Sequence, residues 1–225
     1  MSRLSQSLLD LLYPPKCAFC RRLVRDGRML CTSCENTLPA PDRNHEIQYF
    51  PELSFCLSPL YYTGTVRDSL HRFKFHGAAA YYRIYAELMA ACLQRHGVQP
   101  ELITWVPISR KRLRRRGYDQ DRLLAEEIAR LLNIPCERML EKIRHNAPQS
   151  GKKGIEERRE NVQGVYRSTA PCFGEQILLV DDIVTTGSTL SAAAEVLKQA
   201  GAEKVIGLTL ARALALDTGT EQEQI

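Results

Sequence analysis

Ile177–Thr189, ILLVDDIVTTGST, is the stretch from which the rest of the chain is read. Ile177, Leu178, Leu179 and Val180 form an uninterrupted apolar run, the pattern of a central parallel strand covered on both faces. Asp181 and Asp182 then stand at its carboxyl end, the edge where open α/β sheets bind ligands. Thr185, Thr186, Gly187, Ser188 and Thr189 follow, directly before a helix reading TLSAAAEVLKQAGA. Carboxylates accept hydrogen bonds from a cis-diol, and an amide-rich turn at a helix start attracts a phosphate dianion. A ribose 5-phosphate offers both groups.

A hydroxyl bonded to a carboxylate contributes about 1.5–3 kcal/mol and a helix dipole about 0.3–2 kcal/mol, so the two acids are expected to dominate recognition of the sugar. The lysine of a GxxxxGK[ST] loop is absent, which argues against a nucleoside triphosphatase. The competing structural reading is that two acids ending a strand cap the next helix.

A second motif lies near the amino terminus. Cys17-x2-Cys20 and Cys31-x2-Cys34 are separated by ten residues, a spacing that lets four thiolates converge on zinc. A closed four-sulfur site is structural, because no coordination position remains for a substrate. A segment of about 40 residues buries too little apolar surface to fold alone, so the metal would supply much of its stability. Two disulfides or a redox pair are the alternatives, disfavoured in a reducing compartment. Cys56, Cys92, Cys136 and Cys172 are isolated and read as small buried hydrophobes, and His45 as a loop residue.

The net charge of +5 is concentrated in Arg110–Arg116, where six of seven side chains are basic. This cationic run follows the buried strand Leu102–Pro107 and precedes a helix, DRLLAEEIARLLN. A basic loop at a strand's carboxyl end would sit beside the 177–189 motif and take the anionic half of a ligand, unless it is simply a solvated turn. With 225 residues, 44% of them hydrophobic, the chain fits one α/β domain plus a small appendage. No apolar run approaches the roughly 18–20 residues needed to cross a bilayer, so a soluble, cytoplasmic protein without membrane insertion is expected. The leading MSRLSQSLLDLLY reads as a short amphipathic helix rather than a signal peptide.

The 177–189 run resembles the 5-phosphoribosyl 1-pyrophosphate (PRPP) motif of type I phosphoribosyltransferases. Together with LLYPPKCAFC, the cysteine pairs, WVPISRKRLRRRGYDQDRLLAEEIA and RRENVQGVY, it makes nearly the whole chain similar to the competence protein F (ComF/GntX) family. The resemblance implies a doubly wound parallel α/β sheet of the phosphoribosyltransferase type with a small N-terminal four-cysteine zinc module. Boundaries follow at 1–50 for the N-terminal helix, zinc module and linker, 51–216 for the phosphoribosyltransferase-like domain, and 217–225 for a disordered tail.

In that reading Asp181 and Asp182 bind ribose, Thr185 to Thr189 hold the 5-phosphate, and Ser109, Arg110, Arg112 and Arg116 meet the pyrophosphate. Gln120 also matches the family, whereas Asp119 stands where the family usually carries asparagine and would repel pyrophosphate unless an arginine or a metal compensates. Lys74 ahead of Gly77 matches a family position but reads equally well as a solvated helix charge. The charged, glycine-containing stretch 140–166 is expected to be a lid that excludes water, with Arg144, Gln149, Arg158 and Asn161 on the family's basic and amide positions.

Magnesium should arrive mainly with PRPP rather than in a permanent all-protein cage. The implied activity is transfer of phosphoribosyl to an unidentified acceptor with release of pyrophosphate, linked to competence and DNA uptake. The alternative is a non-catalytic PRPP-sensing adaptor that contacts single-stranded DNA or a competence helicase through its zinc module and basic loop. No catalytic residue, acceptor or oligomeric state can be read, and Cys17, committed to zinc, is no amidotransferase nucleophile.

Overall fold

A computed structural model describes residues 15–24, 28–143 and 164–214. The expected N-terminal helix, the C-terminal tail and the lid positions Arg144, Gln149, Arg158 and Asn161 lie outside the described residues. The central sheet is built on β7 (Gln176–Val184) and β8 (Lys204–Arg212), which pair in parallel from Gln176 opposite Lys204 to Val184 opposite Arg212. β4 (Leu102–Trp105) joins the other side of β7 in parallel. β2 (Phe55–Leu57) and β3 (Leu60–Tyr61) both pair with β8, and β1 (Ile47–Gln48) closes the β2 edge as an antiparallel strand. The order is β1-β2-β8-β7-β4, with β3 continuing β2 along β8.

The apolar run of β7 is continuous because its two faces are both covered. Leu178 and Val180 point into one core and Ile177 and Leu179 into the other. The strand does not end at the acids as the sequence suggests: Ile183 and Val184 continue it, the first packed against one core and the second buried in the other. Their alternation keeps the ladder with β8 in register for two further residues.

One face carries α2 (Gly64–Phe75), α3 (Tyr82–Arg95) and α5 (Gln120–Leu132). Val66, Leu70 and Phe73 sit at helical intervals on α2, as do Leu124, Ala125, Ile128 and Ala129 on α5, and these are the residues that disappear from solvent. The opposite face holds α6 (Ser188–Gln199), through Leu190, Ala193, Ala194 and Leu197, together with the antiparallel pair β5 (Leu140–Lys142) and β6 (Tyr166–Ser168). The ends of the segment read as a lid are therefore paired strands.

The zinc module shares the first core. Phe19 is buried with its ring 5.7 Å from Tyr85, and Arg72 on α2 donates from Nη2 to the carbonyls of Ala18 at 2.9 Å and Phe19 at 2.7 Å. A short helix, α1 (Thr32–Thr37), carries Cys34. The polar stretch after it, read as a linker, is held in place rather than free. Buried Glu46 is ion-paired with Arg95 and hydrogen-bonded to His96 Nε2 at 2.7 Å, and β1 lies inside the stretch. Its polarity reflects side chains satisfied by α3. At the far edge of the sheet, Ile103 of β4 donates its N–H to Pro135 and accepts at its carbonyl from Glu137, so a passing segment covers that edge.

Candidate functional site

The run Arg110–Arg116, expected as a loop, is helix α4. Ser109 caps it, accepting the Arg112 N–H at 3.3 Å, and the straight-chain residues that follow favour helix. Gly117, at φ 82°, ends it in the left-handed conformation that glycine adopts without strain. Asp119 then caps α5, with its carboxylate accepting the N–H groups of Asp121 at 3.2 Å, Arg122 at 3.3 Å and Ile108 at 3.4 Å. The expected repulsion of an anion by Asp119 is thus met by three backbone donors, although burial still raises its pKa.

These elements surround a cavity of about 310 Å³ at the carboxyl ends of β4 and β7. Asp181, Asp182, Thr185 and Thr189 line one side, and Arg112, Arg116 and Gln120 another. Ser109 and Arg110 are not brought into it: Ser109 is committed to its cap, and Arg110 lines a neighbouring cavity on the other side of α4. Lys74 does reach the cavity, with Nζ 2.9 Å from Asp182 Oδ1, so the solvated-charge reading of this residue is wrong. The remainder of the 185–189 turn forms a small adjoining cavity of about 30 Å³, where Thr186 Oγ1 and Ser188 Oγ are 2.9 Å apart.

Three lining residues were not anticipated. Asp121, in the first turn of α5, brings a third carboxylate to the Asp181–Asp182 pair of β7, with one oxygen of each acid within 4.8 Å of the others. Lys142 and Tyr166, from β5 and β6, form the opposite wall, the Lys142 ammonium 5.2 Å from the centre of the Tyr166 ring. Four cationic side chains, Lys74, Arg112, Arg116 and Lys142, therefore share a cavity with three acids.

The charges act on one another strongly. Burial, and then the neighbouring Asp182 carboxylate, pushes Asp181 up to about 7, and the same two causes raise Asp121 well above the usual carboxylate range. Burial pulls Lys74 down, but the acids around it, Asp182 first, outweigh that and hold its ammonium above the ordinary lysine value. Arg116 and Lys142 are lowered, in each case chiefly by burial. Arg116 Nε, Gln120 Oε1 and Asp121 Oδ1 are buried without a hydrogen-bond partner among the described residues. One orphan donor and two orphan acceptors around one polar cavity mark a place where a polar or charged ligand would find partners.

Gly187 is the tight point of the turn. Its φ is 73°, and a Cβ added there would lie 2.2 Å from the ring of Phe50. Gly187→Ala is expected to displace the turn, costing about 1–2 kcal/mol in backbone strain before the contact with Phe50 is counted. The unfolding temperature should fall, as a thermal melt of the variant would show. Phe50→Leu in the same chain should recover only part of the loss, because the left-handed backbone persists.

Away from the cavity, one sulfur from each of Cys17, Cys20, Cys31 and Cys34 lies within 4.8 Å of the others. The sulfurs of Cys20 and Cys31 are 3.5 Å apart, and the Cys34 N–H points at Cys31 Sγ at 3.4 Å. Four thiols converging from two turns fit a structural zinc ion, with no position left for substrate. Cys56, Cys92 and Cys172 are buried and Cys136 half-buried, while His45 is an exposed turn residue 2.6 Å from Asp42. Among the described residues no helix is long and apolar enough to cross a membrane.

Comparison with known proteins adds independent findings. Residues 122–220 match the phosphoribosyl transferase domain and residues 8–45 the double zinc ribbon domain. The chain is 30% identical over 208 residues to the DNA utilization protein YhgH of Salmonella typhimurium, covering 88% of this chain and 90% of that one. It is 29% identical over 226 residues to Competence protein F of Haemophilus influenzae, covering 88% and 97%. With Competence protein ComFC of Streptococcus pneumoniae the identity is 26% over 151 residues, 67% of this chain and 65% of that one.

Proposed function

Because the chain belongs to the competence protein F family, we propose that it binds PRPP and acts as a phosphoribosyltransferase-like protein in the handling of DNA during competence, in the cytoplasm. The observation that carries this reading is the pairing of two acids with a hydroxyl-rich turn on one side of a cavity that four cationic side chains also line. Asp181 and Asp182 accept the ribose hydroxyls, and Thr185–Thr189 anchors the 5-phosphate. Arg112 and Arg116, with Lys142 and Lys74, face the pyrophosphate.

In transfer, a nucleophile on the acceptor attacks the anomeric carbon while the bond from that carbon to the pyrophosphate oxygen breaks and its electron pair leaves with pyrophosphate. The chain's part is positioning and electrostatics: the acids fix the ring, and the cations stabilise charge as it develops on the leaving group. A magnesium ion would supply further positive charge beside these cations. The acid-lined wall supplies the hard oxygen donors such an ion takes. Calorimetric titration of the zinc-loaded protein with PRPP and magnesium tests the reading. Saturable heats are expected, followed by pyrophosphate release once an acceptor is supplied; a folded protein that takes up no PRPP refutes it.

A second reading is a PRPP sensor that does no transfer and contacts single-stranded DNA. It is favoured by exposed Phe75, over whose ring the guanidinium carbons of Arg115 and Arg116 sit at 5.6 and 5.0 Å, beside the exposed basic face of α4. Bases stack on such a platform while the arginines meet phosphates. Arg116 belongs to both surfaces, so in this reading PRPP displaces a labelled oligonucleotide, and binding weakens steeply with salt.

A further inference from the structure

The two acids near the carboxyl end of β7 are matched in number by the two hydroxyls of a ribose diol, which leaves Asp121 without a task. Asp121 is 2% exposed and Asp182 4% exposed, and both belong to the trio whose oxygens lie within 4.8 Å of one another. Asp182 Oδ1 is taken by Lys74 at 2.9 Å. The Gln120 amide nitrogen donates to Asp121 Oδ2 at 3.1 Å and to Asp182 Oδ2 at 3.4 Å. Two acceptors remain without a partner among the described residues: Asp121 Oδ1 and, on a side chain 4% exposed that lines the same cavity, Gln120 Oε1.

A buried carboxylate oxygen and a buried amide oxygen, both unsatisfied beside two further carboxylates, ask for positive charge rather than for another hydroxyl. The ammonium of Lys74 answers one of the three acids, through Asp182. Arg116 lies near Asp121 and Asp182 but, at Nε, bonds to neither.

We propose that Asp121, Asp181 and Asp182 hold a hard divalent cation of the magnesium or manganese class directly, before any phosphosugar enters. The donors are all oxygen, the preference of such ions, and no thiol or imidazole belongs to the cluster, so zinc is not its natural occupant. Asp121 Oδ1 offers a free ligand. Gln120 completes the seat by turning its amide, exchanging a donor toward the carboxylates for its oxygen toward the ion. Such a turn leaves the side-chain shape nearly unchanged. The seat differs from a magnesium carried in on pyrophosphate, and it stands whether or not the cavity takes PRPP.

The test uses full-length, zinc-loaded protein and Mn2+ alone, with free Mn2+ followed by electron paramagnetic resonance. One saturable ion per chain is expected, displaced by Mg2+. Asp121→Asn, which keeps the shape and removes the charge, should weaken uptake by more than the about 10–100-fold typical of losing a partner outside the ligand sphere. Mn2+ should raise the unfolding temperature of the wild type and leave that of folded Asp121→Asn unchanged. Absence of saturable uptake by the wild type, or equal affinity in Asp121→Asn, overturns the proposal. Uptake of Mn2+ by a protein indifferent to PRPP would keep the seat and defeat the phosphosugar reading; PRPP binding without Mn2+ uptake would do the reverse.

Discussion

PRPP titrated into the double variant Asp181→Ala/Asp182→Ala should give no measurable heat, with the protein still folded. A hydrogen bond to a charged group contributes about 1.5–3 kcal/mol, and two lost together amount to a fall of roughly a hundredfold or more in affinity. Folding should survive, because the variant also removes two of three clustered carboxylates that repel one another. Its cost is the partner of Lys74, whose ammonium sits 2.9 Å from Asp182. Asp181→Ala alone separates the two effects, since it leaves that ion pair whole and still deletes one of the two proposed ribose contacts. Heats unchanged in the double variant would end the assignment of these acids to the sugar.

Zinc removal should destabilise far more than the ribbon. Structural zinc contributes folding free energy outright, about 10–16 kcal/mol in isolated ribbon-sized peptides, and the ribbon here shares a core with the α/β domain. Loss of the metal frees the Cys17–Cys20 turn, which exposes Tyr85 where Phe19 had packed and strips Arg72 of the two carbonyls it holds. Chelation, or Cys31→Ser, is expected to lower the unfolding temperature of the whole chain by about 10 °C or more, given about 2–4 °C per kcal/mol for domains of this size. Scanning calorimetry with and without chelator checks it. A main transition indifferent to zinc would mean that the ribbon and the domain are energetically independent.

What the sequence makes legible here is local chemistry. The run Ile177–Thr189 carries its strand, acids, turn and helix start in adjacent residues, and the paired cysteines carry their own geometry in their spacing. Misread features are those whose meaning depends on what the fold brings alongside. Arg110–Arg116 looks like a loop because charge dominates its composition, although Ser109 before it and Gly117 after it are a cap and a stop. Asp119 looks like an obstacle to pyrophosphate until the three N–H groups around it are seen. Asp121 carries no motif at all: an acid in the first turn of a helix is ordinary, and only the parallel pairing of β4 with β7 sets it beside Asp181 and Asp182. Lys142 and Tyr166 are 24 residues apart, and nothing in either short strand announces that they pair into one wall.

The sheet's two margins decide how another protein can approach. β1 spans only Ile47–Gln48, yet it covers the outer side of β2, and the Pro135–Glu137 segment does the same for Ile103 at the other end. Among the described residues both margins are thus short or partly covered, which leaves little regular ladder for stacking copies edge to edge or for adding an extended peptide as a strand. The wider surfaces open to a partner are then the side chains on helix faces and on the zinc ribbon. Such surfaces vary in sequence without disturbing the sheet, and a chain of this kind can change associates while keeping its ligand cavity intact.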